Sequence, residues 1–305
     1  MNTDILVVIG TDEGKGSEVE AALRDVQDLF AYVEAAASRF RPESELSRLN
    51  KSAGRPFKAS HLLFTLVFEA LIAAKATGGI FDPTILMPLI TAGYDRSFEL
   101  LEHDKVSPAF RPESFGAHSW RDVKLDAQTR TIVLPPGCGL DLGGIGKGWT
   151  VDRAAERLQL FNNYAVDAGG DIFTSGVQSD GSQWTVGVED PLNRGSDLMI
   201  ISVRDRAVAT STTARRRWST QGRECHHLID PRTGLPSESG VISATVVAES
   251  VASAEVLAKV ALLLGPEAGL RFLEDQQDVE GLLVLTEGEM RWSRSFGDKV
   301  CGADY

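Results

Sequence analysis

The sequence lacks several features that would each point to a particular class of protein. Its 305 residues contain no run of about 18 apolar residues, so we expect no insertion into a membrane. Cys138, Cys225 and Cys301 are widely spaced and form no Cys-x-x-Cys pair, which argues against a disulfide framework and a thiolate metal site. The N-terminal residues show no secretory signal pattern. We therefore expect a cytoplasmic protein in a reducing compartment.

Basic residues are outnumbered by acidic ones. Lysine and arginine number 31 against 43 aspartates and glutamates, which gives a formal net charge of -12 at pH 7. A protein that binds nucleic acid irrespective of sequence needs a basic face that displaces counterions from the phosphates. We therefore expect no nucleic-acid partner, and any phosphate that the protein binds should be small and locally held.

The most informative stretch is a glycine-rich loop, DLGGIGKG, from Asp141 to Gly148. An amphipathic run with helical periodicity follows, so Lys147 and free backbone N–H groups would lie at a helix N-terminus, which favours an anion. The glycine spacing matches neither the dinucleotide-binding fingerprint nor the P-loop. The loop therefore predicts either a phosphate site or a tight turn that packs a helix onto a sheet.

The rest of the chain mixes helical and strand patterns without regular alternation, which favours an α+β fold over a doubly wound sheet. Helices are predicted at Glu18 to Arg39, His61 to Thr77, Val251 to Leu264 and Glu267 to Glu274. Ser60 is a suitable N-cap for the second of these helices. Asp82-Pro83 predicts a turn into a short helix with Pro83 at its first position.

Two further stretches carry candidate chemistry. His226 and His227 are adjacent, and neighbouring side chains of an extended segment point to opposite faces. We therefore expect one histidine to point inward and one outward, and the pair not to ligate one metal together. The triple arginine from Arg215 to Arg217 follows a hydroxyl-rich turn, and it is either a solvated face or a neighbour of a bound phosphate.

Six stretches, taken in order, resemble sequence blocks of the ApbE-type FAD:protein FMN transferase family. They are residues 38 to 50, Thr77 to Tyr94, Asp141 to Asp152, Ala168 to Asp171, Ala209 to Ser211, and His227 to Pro236. One block alone would be a weak signal, whereas six in order along nearly the whole chain are specific. The resemblance implies one ApbE-like domain over residues 1–305, with an α+β fold in which two related subdomains of mixed sheet and helices surround a flavin cleft.

The resemblance also implies a reaction and a set of site residues. Members of the family bind FAD and, with Mg²⁺, transfer FMN to a Thr or Ser hydroxyl of an acceptor flavoprotein, releasing AMP. The positions that match FAD contacts are Met1, Phe40, Ala92, Gly93, Tyr94, Asp141, Lys147, His227 and Ile229. The carbonyl of Gly144 matches a metal ligand. His227 matches a histidine beside the reacting phosphate, where an imidazole is suited to accept the hydroxyl proton near neutral pH.

The sequence departs from the family at its last metal-binding block, which reads roughly A-D-x-x-x-T. Glu255 and Lys259 stand at the aligned positions. Glutamate keeps a carboxylate ligand, whereas lysine replaces an oxygen ligand by a cation that repels Mg²⁺.

Two interpretations of this departure are open. Glu255 and Lys259 are either an exposed i,i+4 ion pair without functional meaning, or Lys259 takes the place of the cation beside Glu255 and faces the FAD pyrophosphate. We favour the second, which makes both residues candidate catalytic groups and makes Mg²⁺ binding depend on them. Two functions follow: an FMN transferase, or an FAD-binding protein with weak or no transferase activity.

Overall fold

The computed structural model describes residues 3–10, 16–103, 118–220 and 222–301. The chain divides into two compact units, each discontinuous in sequence. Unit 1 comprises Met1–Tyr32, Ile145–Thr212 and Ser239–Tyr305, and unit 2 comprises Val33–Gly144 and Thr213–Glu238. The mixture of helices and antiparallel sheets confirms the predicted α+β class. The assignment of residues 1–305 to one ApbE-like domain stays a prediction.

The helices in the described part of the chain are α1 (Gly16–Ala37), α2 (Glu45–Lys51), α3 (His61–Ala76), α4 (Leu86–Thr91), α5 (Phe98–His103), α6 (Gly146–Arg157), α7 (Val251–Leu264) and α8 (Pro266–Glu274). The predicted cap of α3 is confirmed, because the Ser60 hydroxyl accepts a hydrogen bond from the Leu63 amide. No helix among the described residues combines the length and the apolar character that crossing a bilayer requires.

The strands are β1 (Ile5–Gly10), β2 (Pro56–Lys58), β3 (Lys124–Asp126), β4 (Thr131–Val133), β5 (Asn163–Ala168), β6 (Ile172–Ser175), β7 (Trp184–Glu189), β8 (Asp197–Val203), β9 (Arg206–Thr212), β10 (Arg217–Thr220), β11 (Arg223–His226), β12 (Ile229–Asp230), β13 (Leu235–Pro236), β14 (Val241–Ala248), β15 (Glu280–Leu285) and β16 (Met290–Trp292). They form one large sheet in unit 1 and several small ones.

Unit 1 is built on a seven-stranded antiparallel sheet in the order β1-β5-β6-β9-β14-β15-β16. All eight residues of β14 are buried, including Ser243 and Thr245, which is the pattern of a strand covered on both faces. α7 packs against β9 and β14, and α6 packs against α7. This packing fixes α6 and α7, which carry three of the four charged residues described below.

Unit 2 contains α2 to α5, the antiparallel sheet β2-β4-β3, and the hairpins β10-β11 and β12-β13. A buried cluster joins the segment after α4 to the two hairpins; its members are Leu89, Ala92, Tyr94, Leu101, Trp218, Cys225 and Ile229. Ala92, Tyr94 and Ile229, three of the residues predicted to contact FAD, therefore belong to one hydrophobic core.

The predicted position of Pro83 is wrong. α4 begins at Leu86, and Pro83 lies in the turn before it. The turn is held by the buried carboxylate of Asp82, whose Oδ1 accepts from the backbone amide and the hydroxyl of Thr84 at 2.8 and 2.6 Å. In this Asx-type turn, the Asp82 side chain provides the acceptor for the Thr84 amide and hydroxyl, so the chain forms a turn here instead of the first turn of a helix.

Candidate functional site

The glycine-rich loop leads directly into α6, as its pattern predicts. α6 begins at Gly146, so Lys147 lies in the first helical turn. A Cβ atom at Gly148 would lie 2.6 Å from the carbonyl oxygen of Val251, at the start of α7. Gly148 is therefore a close-packing glycine, which supports the tight-turn interpretation of the loop for this residue. The phosphate interpretation concerns Lys147 and stays a prediction.

Four charged side chains in unit 1 form what we call the charged cluster: Lys147, Asp171, Glu255 and Lys259. Lys147 Nζ forms an ion pair with Asp171 Oδ2, and only 3% of the Asp171 side chain is exposed. Glu255 accepts a hydrogen bond of 2.9 Å from the backbone amide of Gly148. Lys259 is half-buried one turn further along α7. Asp171, in the predicted Ala168 to Asp171 block, was not identified from the sequence as a site residue.

Burial governs the protonation of Glu255. Its residue exposure is 6%, and burial together with the negative charge of Asp171 raises the pKa of its carboxyl to about 7. The positive charges of Lys147 and Lys259 and the Gly148 amide act in the opposite direction. An exposed Glu255–Lys259 ion pair, the first interpretation given above, is therefore wrong because the carboxylate is buried in the core of unit 1.

The charged cluster bears directly on the predicted metal site. Among the described residues, no group of three or more histidine, cysteine, aspartate or glutamate side chains is placed to hold a metal ion. Gly144, the predicted carbonyl ligand, is buried in the turn just before α6. Its role, and that of Glu255 as a metal ligand, stay predictions.

Unit 2 carries a row of three aromatic rings, Phe40, Tyr94 and Trp218. The Phe40 and Tyr94 centroids are 5.5 Å apart at 56°, and those of Tyr94 and Trp218 are 5.3 Å apart at 28°. Tyr94 is 6% exposed, whereas Phe40 keeps 38% of its surface exposed. Burial raises the pKa of the Tyr94 phenol, so it stays neutral. Phe40 is therefore the exposed end of this row of rings.

The Ala92-Gly93-Tyr94 segment is fixed by Trp218, a residue that sequence reasoning did not single out. Trp218 Nε1 donates a 2.7 Å hydrogen bond to the Ala92 carbonyl. Gly93 has φ +101°, and a Cβ there would lie 3.0 Å from Trp218 Nε1. Glycine at position 93 is thus required both by backbone conformation and by space.

Asp141 is held on two sides within unit 2. Its Oδ1 accepts from the Gly143 amide at 2.8 Å, and its Oδ2 lies 2.5 Å from Arg39 Nε. Arg39, in turn, donates from Nη1 to the Tyr94 carbonyl at 2.8 Å. The structure therefore links Asp141 to Tyr94 through an arginine that no pattern in the sequence distinguished from its neighbours.

The two histidines differ in burial, although less sharply than the predicted inward and outward pair. His226 is buried at the end of β11; its Nδ1 accepts from the Leu228 amide at 3.3 Å, and its Nε2 lies 3.0 Å from the Ser237 carbonyl. This pattern suits a neutral ring protonated on Nε2, and burial lowers the pKa of His226 accordingly. His227 is only half-buried. Its catalytic role stays a prediction.

The remaining predicted residues have mixed outcomes. Ile229 is 2% exposed and packs in the core of unit 2, so its side chain has a structural role. Arg215 and Arg217 are exposed and Arg216 is half-buried, which supports a solvated face for two of the three arginines. Met1 lies outside the described residues.

Comparison with known proteins gives a consistent result along the chain. A family model described as "ApbE family" matches residues 1–283. A protein of Treponema pallidum named FAD:protein FMN transferase is 32% identical over 93% of this chain and 82% of its own length. A protein of the same name from Vibrio cholerae is 31% identical over 89% of this chain and 79% of its own length.

Solved structures show the same similarity. The ApbE protein from Thermotoga maritima superposes with a TM-score of 0.86 at 26% identity, covering 97% of this chain and 96% of its own. The structure named flavin transferase ApbE from Vibrio cholerae superposes with a TM-score of 0.81 at 28% identity, covering 98% and 96%. The similarity therefore extends over almost the full length of each chain.

Proposed function

The chain belongs to the ApbE family, and from this premise we propose that it transfers FMN from FAD to a Thr or Ser hydroxyl of an acceptor flavoprotein. The hydroxyl oxygen attacks the phosphorus of the FMN half, forming a phosphoester bond. The P–O bond to the bridging oxygen breaks, AMP leaves with that oxygen, and the hydroxyl proton is released. The similarity to relatives named FAD:protein FMN transferase carries this proposal.

The charged cluster provides groups suited to this chemistry. Phosphoryl transfer depends mainly on positioning and on neutralising charge that spreads over the phosphate oxygens. We assign Lys147 and Lys259 to that task, with Asp171 and Glu255 holding the two ammonium groups in place. An ammonium is a point-charge phosphate binder, although it does not order ligands as a metal ion does.

The cluster does not fit a magnesium ion held by the protein alone. Mg²⁺ requires near-octahedral oxygen coordination, usually with carboxylates and waters. Here the Glu255 carboxylate is engaged by the Gly148 amide, the Asp171 carboxylate by Lys147, and Lys259 brings a further positive charge close to Glu255. The ammonium of Lys259 is therefore proposed to lie where a metal cation would otherwise bind.

Other residues complete the proposal. Phe40 offers its exposed ring for stacking, while Ala92, Gly93, Tyr94, Asp141 and Ile229 are proposed FAD contacts. His227 is proposed to accept the hydroxyl proton, a role that the family resemblance implies and that histidine often fills in proton transfer. The three cysteines are free thiols, which suits the proposed cytoplasmic location.

A second candidate function is FAD binding without transfer. It is favoured by one observation: the two lysines of the charged cluster are balanced by two carboxylates, which reduces the net positive charge available to a pyrophosphate. Such a protein would hold FAD through the unit 2 residues and cleave it slowly or not at all.

Incubation of the purified protein with FAD and an acceptor domain that carries a Thr or Ser flavinylation site separates the two candidates. Parallel reactions contain Mg²⁺ or a chelator, and both AMP and covalently flavinylated acceptor are measured. The transferase produces the two products in equal amounts. Tight FAD binding without AMP would support the second candidate, and no FAD binding would contradict both.

A further inference from the structure

Arg39 occupies a central position among the proposed FAD contacts of unit 2. It lies between the end of α1 and the start of α2, and its side chain is only 6% exposed. Its Nε forms an ion pair with Asp141, its Nη1 donates to the Tyr94 carbonyl, and its guanidinium carbon lies 4.0 Å from the ring centroid of Phe40. One side chain thus touches three residues that the proposed function assigns to FAD binding.

The geometry of these contacts needs a guanidinium. The planar group lies against both Phe40 and the ring of Tyr94, the latter at 4.5 Å, while its edge meets a carboxylate and a carbonyl in two directions. A planar fork of N–H donors can stack and donate at the same time. A lysine ammonium, which has no flat face, cannot hold both rings and both oxygen acceptors together.

The Arg39 guanidinium also carries a buried N–H donor without an acceptor among the described residues. This donor is Nη2. Buried N–H donors are nearly always paired, and an unpaired one marks a position where another interaction is retained at the expense of stability. The contacts with Asp141, Phe40 and Tyr94 are the interactions retained here.

We propose that Arg39 is a positioning residue for FAD binding, which sets Asp141, Phe40 and Tyr94 in the arrangement that receives the ligand. The inference rests on the proposed function, because it takes these three residues as FAD contacts. Arg39 acts on affinity: a site that is already ordered before binding loses less conformational entropy when the ligand enters.

Arg39→Lys tests the proposal, with Arg41→Lys as the matched control. Arg41 is two residues away and forms an exposed ion pair with Glu34. This ion pair involves none of the proposed FAD contacts. We expect Arg39→Lys to weaken FAD affinity about tenfold, measured by flavin fluorescence, while the turnover at saturating FAD changes by less than about threefold. Arg41→Lys should bind FAD as the unaltered protein does.

A double-mutant cycle shows whether Arg39 acts through Asp141. FAD affinity is measured for Arg39→Lys, Asp141→Asn and the combined variant, after circular dichroism has verified that each is folded. If Arg39 positions Asp141, the combined loss is close to the larger single loss. Losses that multiply would show that the two residues act independently and would overturn the proposal.

The other possible results also test the role of Arg39. Unchanged FAD affinity in a folded Arg39→Lys protein, or a loss confined to turnover, overturns the inference while leaving the proposed function intact. If Arg39→Lys does not fold, Arg39→Gln, which keeps a planar N–H donor for the Tyr94 carbonyl, is measured instead. Failure of both to fold assigns Arg39 to stability alone. Absence of FAD binding by the unaltered protein contradicts the proposed function itself.

Discussion

Glu255 is a buried carboxyl group whose charge depends on pH near neutrality. Burial and the nearby Asp171 raise the pKa of Glu255 to about 7, from 4.5. A carboxyl with a raised pKa keeps its proton to higher pH, so Glu255 is mostly neutral below about 7 and mostly anionic above it. Protonation therefore makes the charged cluster more positive, and deprotonation makes it less so.

This titration predicts pH-dependent FAD affinity. The FAD pyrophosphate is anionic, so affinity should rise about fivefold as pH falls from about 8 to about 6. Glu255→Gln, whose amide oxygen can still accept from Gly148, should bind FAD tightly at both pH values. Titrations of FAD at each pH measure the effect, with Glu280→Gln, elsewhere in unit 1, as control. Equal affinities of the unaltered protein at both pH values would contradict the proposed role of Glu255.

The Lys259 ammonium gives a second prediction at this scale. Lys259→Thr combined with Glu255→Asp should make FMN transfer more dependent on Mg²⁺, because an oxygen ligand replaces a cation that repels the metal. AMP release is measured across a range of Mg²⁺ concentrations. The matched control is Lys299→Thr with Glu280→Asp, which alters a Lys–Glu ion pair of 3.3 Å elsewhere in unit 1. An unchanged magnesium response in the first variant would count against the substitution of metal by lysine.

At the scale of elements, the start of α7 is joined to α6 by two sets of hydrogen bonds. The Asp152 carboxylate accepts from the amides of Val251 and Ala252 at 2.8 and 3.0 Å. The Gly148 amide donates to Glu255. A carboxylate at a helix N-terminus satisfies amides that have no partner within the helix. The position of Glu255 in the charged cluster therefore depends on how closely α6 approaches α7.

This close approach predicts that alanine destabilises the protein at one of two glycines of the same helical turn and not at the other. Gly148→Ala should lower the free energy of unfolding by about 2–3 kcal/mol, since the new Cβ would meet the backbone of Val251 and Ala252 within 2.7 Å. A Cβ at Gly146 would meet no atom of the described residues within 4 Å. The stability of Gly146→Ala should stay within about 1 kcal/mol of the original and should not fall. Urea unfolding measures both, and equal destabilisation of the two variants would contradict the packing argument.

Local sequence signals predicted the elements better than the contacts between them. α3 and its Ser60 cap follow from periodicity and capping chemistry, which act within a few residues. The burial of Glu255 does not, because the i,i+4 spacing to Lys259 fits an exposed helix equally well. Trp218 bonds to Ala92 across 126 residues, and such pairs leave no pattern in a single sequence.

At the scale of the whole molecule, the fold class followed from the irregular order of helices and strands, whereas the strand order did not. The large sheet pairs β6 with β9 and β9 with β14, which are separated by hairpins and loops that belong to other sheets or to unit 2. Short-range patterns specify neither pairing. Six sequence blocks nevertheless identified the family, because their order and spacing along most of the chain are more specific than any single block.

This chain is proposed to transfer FMN from FAD to an acceptor hydroxyl. The most direct measurement incubates the protein with FAD and an acceptor domain, and follows AMP by chromatography and the acceptor by mass spectrometry. Replacement of the acceptor's Thr or Ser by Ala provides the control. We expect AMP and flavinylated acceptor to appear together in equal amounts, and both to disappear with the Ala acceptor. FAD that stays intact on the folded protein would contradict the claim.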